Sequence, residues 1–368
     1  MKVKLYDLIG IKSGMNFYSE AFYKLLNEND IEAEIISNFP HNSEKASLPN
    51  IFDRSKTRNI WNLMVCYFKL FCLAMKLKKE SYIVVFVYGN IFDIPLILMA
   101  KLNKRVIIDI HEIIALRNKS TLLKKVFEFL YKTCHNKVIA HSEKINRALT
   151  EISYKEKAFF VPLFRYSVDL NYDIKKVSEE VAGVFRDSSK HFLFFGNIIA
   201  TKGVEDLLRA ATIATHSNIK IVIAGQDISN IVYNYKTKNP ISSNVQLILR
   251  HINDDELKFL FINCDFILLP YKDISQSASI EMAIAFKKPI LTSKIKYFQN
   301  IIDTYPSFGK YIDTEDPEIF SEYLIYYSHT HPDQSFYNTH DVKKYFKNDD
   351  FESFISSIKD YNITINRL

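Results

Sequence analysis

The residues with chemistry to offer gather in two short stretches of the second half of the chain. The first, GNIIATKG at 196–203, closes an apolar run at Gly196 and sets Lys202 and Gly203 before a helical pattern with Glu205 in its first turn. A lysine at a helix N-terminus can meet a phosphate where the helix dipole and free N–H groups already favour an anion. The second, KDISQSASIE at 272–281, lies between the apolar run FILLP and the segment MAIAFKKPILTS. Ser275, Gln276 and Ser277 have small or adaptable polar side chains, and their backbone N–H groups would open toward a ligand at the edge of a parallel sheet. Glu281, about one turn further on, can accept hydrogen bonds from vicinal hydroxyls such as those of a ribose. Each stretch also has a purely structural reading, with Lys202 solvated, Ser277 an N-cap and Glu281 offsetting the dipole.

In the first half, His111 follows the apolar strand VIIDI and would emerge at the carboxyl edge of a sheet, with Asp109 and Glu112 as neighbouring carboxylates. Gly10 and Gly14 flank IKS after the first strand, which suits either a close backbone approach to a ligand or a simple turn. His141, Ser142 and Glu143 begin a helix with Ser142 as its cap, and no chemistry is assigned to them. The absences narrow the classes: no GxGxxG follows the first strand and no GxxxxGK[ST] occurs, which demotes dinucleotide enzymes and P-loop NTPases. No Asp-x-Asp occurs either, so no metal ion is expected in diphosphate binding.

The elements that must position these residues alternate from the first residues onward. Continuous β-branched and aromatic runs such as YIVVFVY, RVIIDI, HFLFFG, KIVIAG and FILLP read as parallel strands covered on both faces, each followed by a helical pattern. The chain therefore reads as α/β, two doubly wound domains facing across a cleft. The divisions fall at 1–168, at 169–335 and at a helical tail, 336–368, expected to pack back across the domains. At 368 residues two domains are the natural count.

Composition adds the setting. Four cysteines lie scattered in apolar segments, with neither metal-site nor disulfide spacing, and the N-terminus lacks a signal-peptide apolar run, so a cytoplasmic location is expected. A net charge of +6 favours phosphate-rich partners or an anionic membrane surface, while no nucleic-acid motif appears. The apolar stretch IWNLMVCYFKLFCLAM at 60–75 is too short and too charged to span a bilayer. Asn62, Lys69 and Lys76 form one polar stripe on such a helix. It reads either as a helix packed against a sheet or as one partly embedded in a membrane interface.

Taken together, these residues resemble the GT-B glycosyltransferases, particularly the large retaining family 4. Gly196, Lys202 and Gly203 match that family's phosphate loop, followed by VEDLLRA and IVIAG. Asp273 and Glu281, eight positions apart, match its paired glutamates ahead of KKPILTS, and SQS resembles the variant found in members acting on polysaccharide intermediates. DIHE at 109–112 and AHSE at 140–143 resemble landmarks of the N-terminal domain, and the resemblance is clearest from about 104 to 325. Asn197 stands where the family has a phosphate-binding arginine and Asp273 where it has a glutamate.

The resemblance implies two Rossmann-like domains and a metal-independent, retaining transfer of a sugar from a UDP- or GDP-sugar, with no further cofactor. It places ribose on Glu281, pyrophosphate near Lys202, Gly196, Asn197, Arg250 and the amides of 275–277, and sugar near Asp273 and His111. Gly14, Asp109 and Glu112 would face the acceptor, and Asp109 or Glu112 would be the base if transfer inverts. The implied acceptor is a saccharide on a polyprenyl diphosphate, in capsule, O-antigen or exopolysaccharide assembly at the inner face of the cytoplasmic membrane. A nucleotide-sugar 2-epimerase of the same fold and a catalytically inactive nucleotide-sugar-binding homologue remain as alternatives, kept open by Asn197 and Asp273.

Overall fold

A computed structural model of the protein describes residues 1–10, 15–41, 45–52, 55–113, 120–154, 158–161, 163–166, 168–274, 276–330, 336–347 and 349–367. The chain divides into two compact units, one formed by Met1–Tyr166 with Asn348–Leu368 and the other by Ser167–Lys347. Of the expected tail, residues 336–347 thus group with the second unit and the remainder with the first.

The first unit runs β1 (Lys2–Asp7), α1 (Met15–Glu28), β2 (Glu32–Ser37), α2 (Lys56–Met75), β3 (Ser81–Val87), α3 (Asp93–Ala100), β4 (Val106–Ile110), α4 (Thr121–Lys132), β5 (Val138–Ala140), α5 (Glu143–Glu151) and β6 (Phe159–Phe160). Its strands form one parallel sheet in the order β2-β1-β3-β4-β5-β6. The apolar runs are buried on both faces, as a sheet covered by helices requires: every residue of β4 and β5 is buried. Local sequence punctuates the helices, with the hydroxyls of Ser55, Ser120 and Ser142 accepting from the N–H three residues on.

The second unit runs α6 (Glu179–Ala182), β7 (Lys190–Phe195), α7 (Val204–Ile213), β8 (Ile219–Ala224), α8 (Ile231–Lys236), β9 (Val245–Ile248), α9 (Asp254–Asn263), β10 (Phe266–Leu269), α10 (Ala278–Ala285), β11 (Ile290–Thr292), α11 (Lys296–Ile302), β12 (Gly309–Tyr311), α12 (Pro317–Ser328) and α13 (Thr339–Phe346). Its parallel sheet has the order β12-β11-β10-β7-β8-β9. Both sheets are doubly wound, as the alternation of patterns predicts. The last helix, α14 (Asp349–Arg367), returns to the first unit. There Phe354 packs against Phe22, Phe159 and Phe164, and the Tyr361 hydroxyl donates to the Lys104 carbonyl.

One buried side chain ties the first sheet to its helices. Asn136, in the turn between α4 and β5, donates through Nδ2 to the carbonyls of Ala100 at 2.7 Å, Asn103 at 2.9 Å and Val106 at 2.9 Å. These carbonyls run from the end of α3 to the start of β4; those of Ala100 and Asn103 also accept from the N–H groups of Asn103 and Val106, so the amide adds a second donor and ties three points of one connection together. Replacing Asn136 by Leu keeps volume but removes the donor. The urea midpoint is expected to fall by the equivalent of roughly 1–3 kcal/mol, and an unchanged midpoint would refute this account.

Candidate functional site

In the second unit the chain builds from β7 outward to β9, then crosses to β10 on the other side and proceeds to β12. The loops after β7 and β10 leave the sheet on either side of that reversal, where open parallel sheets offer a crevice. They are the two stretches picked out by sequence, and they touch. The N–H groups of Lys272 and Asp273 donate to the Thr201 carbonyl at 2.7 and 3.4 Å. Gly203 has φ +67°, and a Cβ there would lie 1.9 Å from the Pro270 carbonyl oxygen. Only glycine lets the two loops approach this closely.

Gly196, at φ +123°, has a similar role for a side chain. A Cβ on it would come within 2.9 Å of the Lys202 Nζ and 3.3 Å of the Ser279 Oγ. The Lys202 ammonium lies 5.1 Å from the ring centroid of Tyr271, and among the described residues no carboxylate pairs with it. The Tyr271 phenol and the Thr201 hydroxyl nearby are buried and have no hydrogen-bond partner. A cation held over an aromatic face beside polar atoms that await partners is suited to an incoming anion.

The helix α10 completes this edge. Ser277 is its buried N-cap residue, but its hydroxyl makes no capping bond, while the Ser279 hydroxyl donates to the Phe195 carbonyl at 3.0 Å and fastens the helix start to the end of β7. Glu281 is 2% exposed, and its Oε2 accepts from the hydroxyl of Tyr345 on α13. Sequence reasoning missed Tyr345, because nothing local links a helix 64 positions away to this carboxylate. Asp273 and Asn197 are exposed on their loops, and Gln276 is half-buried. Ser275 and Gly14 lie outside the described residues.

Arg250 is engaged elsewhere. Its Nη1 and Nη2 donate to Glu256 at 2.7 and 2.8 Å, Nη2 to the Ser178 hydroxyl at 2.8 Å and Nε to Glu180 at 2.9 Å. Burial alone would raise the Glu256 carboxyl, but Arg250 and Ser178 outweigh it and hold it down to about 2. A fork filled this way fastens the segment around 178–180 to α9, and pyrophosphate binding near Arg250 has no geometric support.

The first unit holds a second cluster, wholly buried. Asp109, in β4, accepts from the Tyr18 hydroxyl at 2.5 Å through Oδ2, and its Oδ1 lies 2.7 Å from His141 Nε2 and 3.6 Å from His111 Nε2. His141 Nδ1 is 3.0 Å from the Val161 carbonyl, which can only accept, so Nδ1 carries a proton. The Tyr18 hydroxyl also lies 2.9 Å from His141 Nε2, so the tyrosine, the histidine and the carboxylate close a triangle of polar contacts. Burial would raise the Asp109 carboxyl, yet His141 and His111 hold it below its usual range. Burial pushes His111 down to about 3, so it is neutral, stacked on Tyr88 with ring centroids 4.9 Å apart.

This arrangement revises two expectations. His141, to which sequence reasoning assigned no chemistry, is the main partner of Asp109; its place in AHSE, after a strand neighbouring VIIDI, was the available signal. Asp109, expected to face an acceptor, has no exposed surface, whereas Glu112 is half-buried. Asp109, His111 and His141 also bring ligating atoms within 4.8 Å of one another, as a metal ion would need. Gly10 serves a turn: its N–H and that of Ile9 donate to Asp7 Oδ1 at 2.9 and 3.0 Å.

Comparison with known proteins follows this geometry. Residues 178–338 match the family of glycosyl transferases group 1. No curated protein matches the chain. Among solved structures, sucrose-phosphate synthase from Thermosynechococcus elongatus aligns with a TM-score of 0.66 at 12% identity, covering 100% of this chain and 99% of that one. Anabaena HepE in complex with UDP-glucose aligns at 0.64 and 13% identity, covering 98% and 100%. A glycosyltransferase from Rickettsia africae aligns at 0.59 and 16% identity, covering 98% of each chain.

The buried neutral His111 has a measurable consequence. Below the ordinary histidine value of 6.5 the unfolded chain binds a proton that the folded site refuses until about 3. Stability therefore falls as pH drops through that window, by up to about 1.4 kcal/mol per pH unit for this one group. Urea titrations between those limits should show a shallower pH slope for His111→Phe than for the native protein. Equal slopes would mean that His111 is not held neutral.

Proposed function

From a GT-B fold carrying a group 1 glycosyl transferase segment, we propose that the protein moves a sugar from a UDP- or GDP-sugar to a saccharide borne on a polyprenyl diphosphate. The setting is assembly of cell-surface polysaccharide on the cytoplasmic side of the membrane. The observation that carries the reading is the edge formed by β7 and β10. There an ammonium without a carboxylate partner, Lys202, and an oriented buried carboxylate, Glu281, stand on adjoining loop and helix. These are the groups that a diphosphate and a ribose require.

In this reading Glu281 accepts from the ribose hydroxyls, with its carboxylate oriented by Tyr345, and Lys202 meets the diphosphate with the amides at the start of α10. Asp273 takes hydroxyls of the sugar. As the anomeric C–O bond breaks, negative charge grows on the leaving diphosphate, and a fixed ammonium there stabilises the transition state more than the ground state. Retention of configuration needs no protein base, since the leaving oxygen can assist attack on the same face. Because Asp109 is committed to Tyr18 and His141, Glu112 is the carboxylate of the first unit better placed for acceptor hydroxyls. The HepE structure holds UDP-glucose, which favours a uridine donor as the first to try. The chemistry proposed uses no metal.

Calorimetric titration of UDP and GDP tests the donor site. Glu281→Gln should bind about ten- to a hundredfold more weakly, the loss of roughly 1.5–3 kcal/mol of charge-assisted hydrogen bonding. Tyr345→Phe should lose a smaller factor, about three- to tenfold, by freeing the carboxylate. If folded native protein binds neither nucleotide, the reading fails. In transfer assays Lys202→Ala should lower turnover about a hundredfold or more, with a smaller change in donor KM, and a chelator should leave the rate unchanged.

A further inference from the structure

The helix α2 has two apolar faces, and only one is covered. Cys66, Leu70 and Ala74, one turn apart, are its buried residues. Trp61, Met64, Phe68, Phe71 and Met75 recur at helical spacing on another side and are exposed, Trp61 by 65% and Phe68 by 68%. The neighbouring helices are tied to α2 and carry exposed apolar side chains of their own. The Tyr67 hydroxyl donates to the Phe92 carbonyl at 2.7 Å, and Lys101 Nζ donates to Thr133 Oγ1 at 2.7 Å, linking α2 to α3 and α3 to α4. They add the exposed side chains of Phe92, Leu98, Leu122 and Phe129. Soluble proteins rarely leave so many large apolar side chains together in water.

The charges beside this surface select its partner. No Asp or Glu occurs from Lys56 to Lys79; Arg58 and Lys76 share one edge of the exposed stripe with the half-buried Lys69, whose Nζ donates to the Ser47 carbonyl at 2.8 Å, and Lys78 and Lys79 follow its end. A second copy of the chain would set this basic edge against its own image. An anionic bilayer would instead meet lysines with phosphates while the apolar side chains enter the acyl boundary. Among the described residues no helix is long and apolar enough to cross a membrane, so contact would be along the surface.

We propose that α2, with the adjoining parts of α3 and α4, docks on an anionic lipid bilayer. The inference deepens the reading of a membrane-borne acceptor and rests on it for its biological sense, but its observations are separate from those of the donor site.

Trp61 is the only tryptophan of the chain, so the proposed surface carries its own reporter. Vesicles of phosphatidylcholine with phosphatidylglycerol should shift its emission to the blue and sediment the protein, and raised salt or pure phosphatidylcholine should weaken both. Met64→Glu with Phe68→Glu, checked for folding by circular dichroism, should abolish sedimentation while leaving nucleotide binding unchanged. So should Lys76→Glu with Lys78→Glu and Lys79→Glu. Absence of any shift and of sedimentation with anionic vesicles would overturn the proposal. A lipid-independent blue shift that follows protein concentration, with a dimer in light scattering, would overturn it in favour of a second copy. Vesicle binding by a protein that binds no nucleotide would uphold the docking surface and count against the transferase reading alone.

Discussion

A parallel sheet covered by helices on both faces leaves polar chemistry almost nowhere to go but the carboxyl edge of its strands. Inside the sheet every backbone group is paired along the ladder and every side chain meets apolar neighbours. Both units obey this constraint, with β4 and β10 buried along their whole length. The loops after β7 and β10 therefore carry the second unit's candidate site residues, and the reversal of strand order between them keeps a crevice from being filled by a crossover. The close glycine contact of Gly203 with Pro270 follows from the same crowding at the edge.

Where a carboxylate does enter the buried layer, the protein surrounds it with donors. Asp109 in β4 is met by Tyr18 and His141, and Glu281 in α10 by Tyr345. In both cases a tyrosine from a helix remote in sequence orients the acid, since a buried carboxylate without donors would take up a proton or destabilise the fold. The two clusters differ in what remains available. Asp109 is fully enclosed by Tyr18 and His141, whereas Glu281 sits one turn inside a helix whose N-terminus adjoins an ammonium with no carboxylate partner among the described residues. The first is suited to holding neighbouring rings in place and the second to meeting a ligand.

The helix α2 shows the opposite solution on the outer face. Its buried stripe satisfies the sheet, and its remaining apolar residues are surplus to folding. A long apolar helix in a small covering layer has more such surface than one sheet can hide, and the acid-free basic edge gives that surplus a direction.

Much of this was legible in the amino-acid order because it depends on short-range physics. Continuous apolar runs separated by helical patterns specified parallel, doubly wound sheets, and the spacing of Gly196, Lys202, Gly203, Asp273 and Glu281 marked two loops that the fold brings into contact. The Ser142 cap and the polar stripe of Asn62, Lys69 and Lys76 were equally local, whereas Ser277 stands at the start of α10 without a capping bond from its hydroxyl. What the tertiary structure decided is which partners these groups have. Arg250 was expected near a pyrophosphate, but Glu256, Glu180 and Ser178 occupy its fork, and His141 read as a helix start until β5 brought it beside β4. The exposure of one face of α2 was likewise undecided, because periodicity names a helix's faces but not what covers them. A sequence states the donors and acceptors of each residue, while pairing between residues tens of positions apart is fixed only when chain folding sets their distance and burial decides its strength.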